Sequence, residues 1–176
     1  ATLGCEAATS WGMSKGITMQ IIDPGARPNA LNIESATIHN ANYRTVVWTG
    51  KYLQVTLMSI PVGESIGLEV HPETDQFIRI DRGTGRCVMG TSKDRLEFEE
   101  SVEDGSAVQV PAGYWHDIEN TGNEPLKLYT VYAPVHHAQG IIQETAADAE
   151  RDEEAGDDNP PEWTVQPAPD AQDKHA

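Results

Sequence analysis

The sequence predicts an all-β fold, a small antiparallel barrel or sandwich with an irregular arm before it and an acidic helix and extended tail behind it. Three observations predict this. Between Arg44 and Pro134, short apolar stretches recur at intervals of roughly 8–12 residues, the spacing of compact antiparallel sheets. Within them apolar and polar residues alternate, as Leu53, Val55 and Leu57 do with Gln54 and Thr56. Between them lie PVGES, HPETD, DRGTG, GTSKD, VEDGS, PAGY and TGNE, which are turn chemistry.

The elements follow in order. Residues 1–43 read as an irregular arm punctuated by Gly and Pro, with Trp11 as an anchor and a short edge strand over MQII, 19–22. Residues 44–135 hold the strands: TVVW, then 51–60, 66–71, 76–81, 85–90, 95–100, 106–111, 115–120 and 125–134. Residues 136–176 form the last part. In it, 144–155 has helix formers, early acids and Gly156 at its end, so it reads as a solvated surface helix. The segment 159–169 is Pro-rich and extended, with Trp163 and Val165 as expected anchors onto the barrel or a neighbouring subunit. Extensions of this kind suit a homodimer or a higher homo-oligomer.

Charge narrows the function classes. The net charge is −16, and eleven of the 28 Asp/Glu but only two of the 12 Lys/Arg fall between Glu144 and Ala176. Nucleic acids and anionic membrane surfaces need clustered Lys/Arg, so neither is an expected partner. No stretch is long and apolar enough to span a membrane, and no secretory leader is visible, which points to the cytoplasm. The two cysteines, Cys5 and Cys87, are too few for a disulfide framework, and Cys87 reads as a free buried thiol.

Two spaced motifs carry the chemistry. The later one runs Gly105, five residues, Pro111, one, Gly113, two, His116, three, Asn120. Pro111-Ala112-Gly113 makes a tight turn and His116 opens the strand after it. The earlier one runs Gly63, five residues, Glu69, one, His71, four, Gln76, six, Gly83. Glu69 and His71 are two apart, so in a strand they share a face. These spacings resemble the paired motifs of the cupin superfamily, over roughly residues 50–135. Two ligand positions depart from its pattern: Glu69 stands where the first His is usual, and Gln76 where Glu is usual. The chain also looks like small bacterial proteins loosely grouped with mannose-6-phosphate isomerase-type cupins.

The resemblance implies a jelly-roll barrel with a divalent metal held inside by Glu69, His71, Gln76 and His116. Two imidazoles and one carboxylate suit Fe(II), Zn, Mn or Ni, with Gln76 as a neutral oxygen donor. One anionic ligand leaves such a site positive, favouring an anionic or enolisable small molecule. The leading expectation is isomerisation or elimination on an oxygen-bearing metabolite such as a sugar or sugar acid. An Fe(II) dioxygenase is a second reading, with Met58, Ile78, Met89 and Ile118 lining an apolar pocket. A barrel that only binds a ligand or builds an assembly is a third.

Other residues have structural expectations. His136 and His137 read as solvated, with at most one facing the pocket. Trp115, opposite in parity to His116, reads as core. Tyr129 or Tyr132 could reach the pocket. Glu73 and Asp75 read as turn caps, and Asn120 as a turn fastener. The motif strands put no Lys or Arg inward, and Arg79 should point away from Gln76.

Overall fold

The computed structural model describes residues 21–167. The expectations on Cys5, on Trp11 and on the first half of the 19–22 strand lie outside these residues, and Ile21 and Ile22 are not in a strand.

In chain order the elements are α1 (Ile33–His39), β1 (Arg44–Thr49), β2 (Gln54–Ile60), β3 (Glu69–Val70), β4 (Asp75–Arg82), β5 (Thr84–Gly90), β6 (Phe98–Glu103), β7 (Ala107–Val110), β8 (Trp115–Asn120), β9 (Leu126–Ala133), β10 (Ile142–Gln143) and α2 (Ala146–Ala155). The strands form a six-stranded sheet, ordered β10-β1-β2-β9-β4-β7, and a four-stranded sheet, ordered β3-β8-β5-β6. Every pairing within them is antiparallel. The two sheets close on one another as a jelly-roll barrel.

Strand alternation decides what the barrel contains. Burial alternates residue by residue along β8 and β9. Met58, Ile60, Ile78, Ile80 and Leu128 from the large sheet meet Cys87, Met89, Val102 and Ile118 from the small one in a single apolar cluster. Cys87 is free and buried, and burial pushes its thiol up to about 11. Where strands run closest, glycine is required: a Cβ at Gly90 would run into the Arg95 carbonyl.

Outside the barrel, α1 lies on the large sheet, Ala36 packing with Val47 and Leu57. The Asn32 side chain caps it, accepting from the Ser35 amide at 2.9 Å. Beside α1 the sheet leaves an apolar groove of about 480 Å³, lined by Leu31, Val47, Trp48, Val55 and Tyr129 among others.

Four local differences from the sequence reading have physical reasons. The arm contains α1, whose seven residues carry too little apolar periodicity to stand out. The strand expected over 66–71 is only Glu69–Val70, because Gly67, at φ 88°, breaks the extended run. The strand expected over 95–100 starts later, at Phe98, because Ser92 and Arg95 first bridge a tight loop. The two-residue β10 adds a sixth strand beside β1.

The solvated helix is as expected: Thr145 and Asp148 form a capping box, and Gly156 ends α2 at φ 76°. The tail after it docks differently from the reading. Trp163 and Val165 are exposed. The attachment is polar: Gln166 Nε2 donates to the Val135 carbonyl, the Val165 amide donates to the Lys51 carbonyl, both at 2.9 Å, and the Asp158 side chain is buried. Among the described residues no helix is long and apolar enough to cross a membrane.

Candidate metal centre

The site is assembled by one short strand pairing. In the β3–β8 ladder Glu69 lies directly opposite His116. His71 follows β3, and its carbonyl accepts from the Gly113 amide at 2.9 Å. Gly113 has φ 81°, a conformation that glycine adopts without strain, and the Tyr114 amide closes the turn on the Pro111 carbonyl at 3.1 Å. The Pro-Ala-Gly turn of the later motif therefore fixes the height of His71 from the earlier one.

The ligand atoms of Glu69, His71 and His116 lie within 4.8 Å of one another. Glu69 Oε1 is 3.2 Å from His71 Nε2 and 3.4 Å from His116 Nε2. His116 is wholly buried. Its Nδ1 faces the Tyr114 carbonyl at 3.1 Å and so carries the proton, leaving the lone pair of Nε2 aimed at the carboxylate. That Nε2 has no hydrogen-bond partner. Burial pushes the Glu69 carboxyl up, but the His116 and His71 imidazoles outweigh it and hold the group well below the usual carboxylate range. A carboxylate oxygen and two imidazole Nε2 atoms converging on one spot suit a cation between them.

Gln76, on β4 in the opposite sheet, faces the same interior. Its Nε2 donates to Thr130 Oγ1 at 3.0 Å, and its Oε1 is buried without a partner. The donor set and the two orphaned atoms, His116 Nε2 and Gln76 Oε1, fit a divalent ion.

A family model described as the cupin domain matches residues 56–132. The uncharacterized protein YrkC of Bacillus subtilis is 56% identical over 127 residues, covering 72% of this chain and 68% of its own. An uncharacterized protein of Acanthamoeba polyphaga mimivirus is 40% identical over 113 residues, covering 64% of this chain and 69% of its own. A protein of Bacillus halodurans known from its crystal structure aligns with a TM-score of 0.74 at 52% identity, covering 74% of this chain and 99% of that one.

The chain belongs to the cupin family.

In this cupin the wall beside the triad comes from residues outside both motifs. Tyr132, on β9, points inward and Tyr129 outward, which settles the parity between them; Tyr129 packs near Phe77 with centroids 6.4 Å apart. The Tyr132 ring meets the edge of His71 at 5.7 Å and stacks on His136 at 5.4 Å. His136 also lies 4.1 Å, centroid to centroid, from His71. Both histidines of the pair were expected in solvent. Instead His136 is half-buried against a triad ring, and His137 is only 5% exposed. The chain turns inward after β9 because Gln54 holds the His137 backbone: its Oε1 accepts from the His137 amide and its Nε2 donates to the His137 carbonyl, both at 2.9 Å. Burial pushes the His136 imidazole down to about 3, with His137 and His71 adding to it, so His136 is neutral near pH 7.

Arg44 changes the electrostatic reading. No motif strand supplies an inward cation, and Arg79 points outward as expected, but Arg44 on β1 is buried on the inner face opposite Met58. Its Nη1 donates to Gln143 Oε1 at 2.7 Å and stands 3.7 Å from Asp158 Oδ2. Trp115 is half-buried on the outer face of β8 and is not core. Asp75 Oδ1 accepts from the Ala112 amide, and Asn120 Nδ2 donates to the Ile60 and Glu124 carbonyls, so both fasten turns as read. The Arg44, His136 and Asp158 roles had no spacing to reveal them, because each depends on partners far away in sequence.

Proposed function

We propose that this cupin binds one divalent metal through Glu69, His71 and His116, with Gln76 as a neutral oxygen donor, and acts on a small oxygen-bearing metabolite. The observation that carries the reading is the convergence of three ligand atoms within 4.8 Å beside buried acceptors that have no partner. An ion held there would supply Lewis acidity, polarising a carbonyl or favouring an enolate. The protein's own groups set the surroundings. Glu69 stays ionised, the Tyr114 carbonyl keeps His116 in one tautomer, and Thr130 fixes the Gln76 amide. Burial raises the Tyr132 hydroxyl far above its ordinary value, so it keeps its proton and can donate a hydrogen bond. This environment favours isomerisation or elimination on a sugar or sugar acid.

The dioxygenase reading has less support. Met58, Ile78, Met89 and Ile118, the residues expected to line an apolar pocket, are consumed in the packed core. The site side of the interior is polar, with Arg44, Thr56, Gln76 and Thr130 buried there. The reading retains a homodimer or higher homo-oligomer, which light scattering in solution would measure.

The test is elemental analysis of purified wild type beside Glu69→Ala and His116→Ala. The expected result is close to one divalent ion per wild-type chain and at least a tenfold loss in either variant, since each removes one member of the Glu69, His71 and His116 triad (~1.4 kcal/mol or more). A wild type that takes up none of manganese, iron, nickel or zinc contradicts the reading and leaves a ligand-binding or assembly role.

A further inference from the structure

The tail grips the chain on both sides of His136. Gln166 Nε2 donates to the Val135 carbonyl at 2.9 Å. Asp158 Oδ1 accepts from the Ala138 amide at 2.8 Å, and Asp158 Oδ2 lies 2.9 Å from His137 Nδ1. Between those grips Gln54 holds the His137 backbone through both its amide and its carbonyl. The Asp158 side chain is 4% exposed, and burying a carboxylate is costly unless it is paired. Its partners are His137 and Arg44, whose Nη1 stands 3.7 Å away, so the tail is tied to this one place on the barrel.

The segment held in this way packs its rings against the metal centre. His137 meets His136 edge-on, with centroids 4.7 Å apart, and meets Tyr132 edge-on at 5.0 Å. His136 lies 4.1 Å from His71, nearer than His116 at 5.3 Å or Tyr132 at 5.7 Å. The two triad histidines are held differently. The Tyr114 carbonyl fixes the His116 ring through Nδ1. His71 follows a strand of only two residues, and the rings of His136, His116 and Tyr132 border its own. Rings in contact favour edge-to-face or offset arrangements, so the ring against His71 restricts the direction in which its Nε2 points. Losing a group that orients a metal-ligating imidazole costs about 10–100-fold in metal affinity.

We infer that His136 is a positioning residue for the metal ligand His71, and that the tail holds it there through Asp158 and Gln166. Only the consequence for ion affinity rests on the proposed metal reading. The ring arrangement itself belongs to this chain's own residues. A barrel with both motifs intact but without residues 156–167 would keep Glu69, His71, Gln76 and His116 and lose the grip on one of them.

The test uses the full chain and two readouts. The first is ion affinity. Metal-stripped protein is titrated against a competing chelator with whichever of manganese, iron(II), nickel and zinc the wild type binds most tightly. His136→Ala and Asp158→Ala are each expected to weaken binding at least about tenfold. His136→Phe restores a ring without the imidazole nitrogens and is expected to recover affinity to within about threefold of wild type. Gln166→Ala removes a single grip, so it serves in place of Asp158→Ala if that variant does not fold, with a smaller loss in the same direction. The second readout needs no ion: the histidine ring signals of the metal-stripped protein by NMR. In Asp158→Ala and Gln166→Ala the His71 signals are expected to shift, while those of His116, fixed by the Tyr114 carbonyl, stay close to wild type. A His136→Ala protein that binds the ion as tightly as wild type, or a His136→Phe protein as weak as His136→Ala, overturns the inference. So do His71 signals that stay in place or that move only together with those of His116. Failure of the metal reading looks different: the wild type takes up no ion, and the His71 signals alone then decide the inference.

Discussion

At the scale of single residues, the site is a matter of which proton sits where. The Tyr114 carbonyl and the Asp158 carboxylate each hold the Nδ1 proton of a buried histidine, His116 in one case and His137 in the other. Both then turn an Nε2 lone pair inward. Burial pushes His137 down to about 4, with Arg44 adding to the effect and Asp158 opposing it. Burial raises Asp158, but His137, the Ala138 amide and Arg44 together hold it down at about 2. The consequences for stability have the same sign. The unfolded chain takes up a proton on His137 near pH 6.5 and the folded chain only near pH 4, so this stabilisation is complete above 6.5 and is lost as the pH falls toward 4. For Asp158 it is complete above 3.8 and lost as the pH falls through about 2. His136, pushed down to about 3, adds a loss of the same sign, so urea unfolding should show a loss of several kcal/mol between pH 7 and pH 4, about 1.4 kcal/mol per pKa unit. His137→Asn should flatten that slope, and an unchanged slope would show that His137 is not buried neutral. The residue scale is also where the sequence was most informative: Glu69, His71 and His116 were legible because two motifs place them at set offsets.

At the scale of elements, the barrel's strands could be read from alternation and turn chemistry, because one face of each strand is dry and the other wet. The pieces that pack around the barrel could not. β10 is two residues long, and α1 is a short helix held by a single Asn cap and by Ala36 against the sheet. Asp23 illustrates the difficulty. Its carboxylate accepts from the Gly25 amide, the Thr49 amide and hydroxyl and the Gly140 amide, tying the arm to the end of β1 and to the loop before β10. Nothing near position 23 in the sequence announces partners more than a hundred residues away. Asp23→Ala strands several buried donors at once and should destabilise the fold by at least about 2 kcal/mol in denaturant titration. A loss below about 0.5 kcal/mol would mean that the arm contributes little to holding the barrel. Trp163 and Val165 do not anchor the tail on this chain's own barrel, for a related reason: in an extended tail the hydrogen-bonding groups of Asp158, Val165 and Gln166 dock and the aromatic ring faces out.

At the scale of the whole molecule, the two sheets divide the work. The small sheet carries the triad on β3 and β8, and the large sheet faces it with Gln76, Thr130, Tyr132 and Arg44. The apolar cluster fills the space elsewhere between them, so a polar site is held in an otherwise dry interior, where electrostatic interactions are strongest. The family and the barrel were legible in two spaced motifs. The full wall of the site was not, since it depends on β1, on the chain after β9 and on the tail meeting in three dimensions. The function proposed for this cupin turns on a cation among Glu69, His71 and His116. The most direct measurement is anomalous diffraction from crystals of the full chain, grown with manganese, iron, nickel or zinc and collected above each absorption edge. The account predicts one strong peak bounded by Glu69 Oε1, His71 Nε2 and His116 Nε2. An interior without a peak under all four metals, with Glu69 paired only to the two imidazoles, would contradict it.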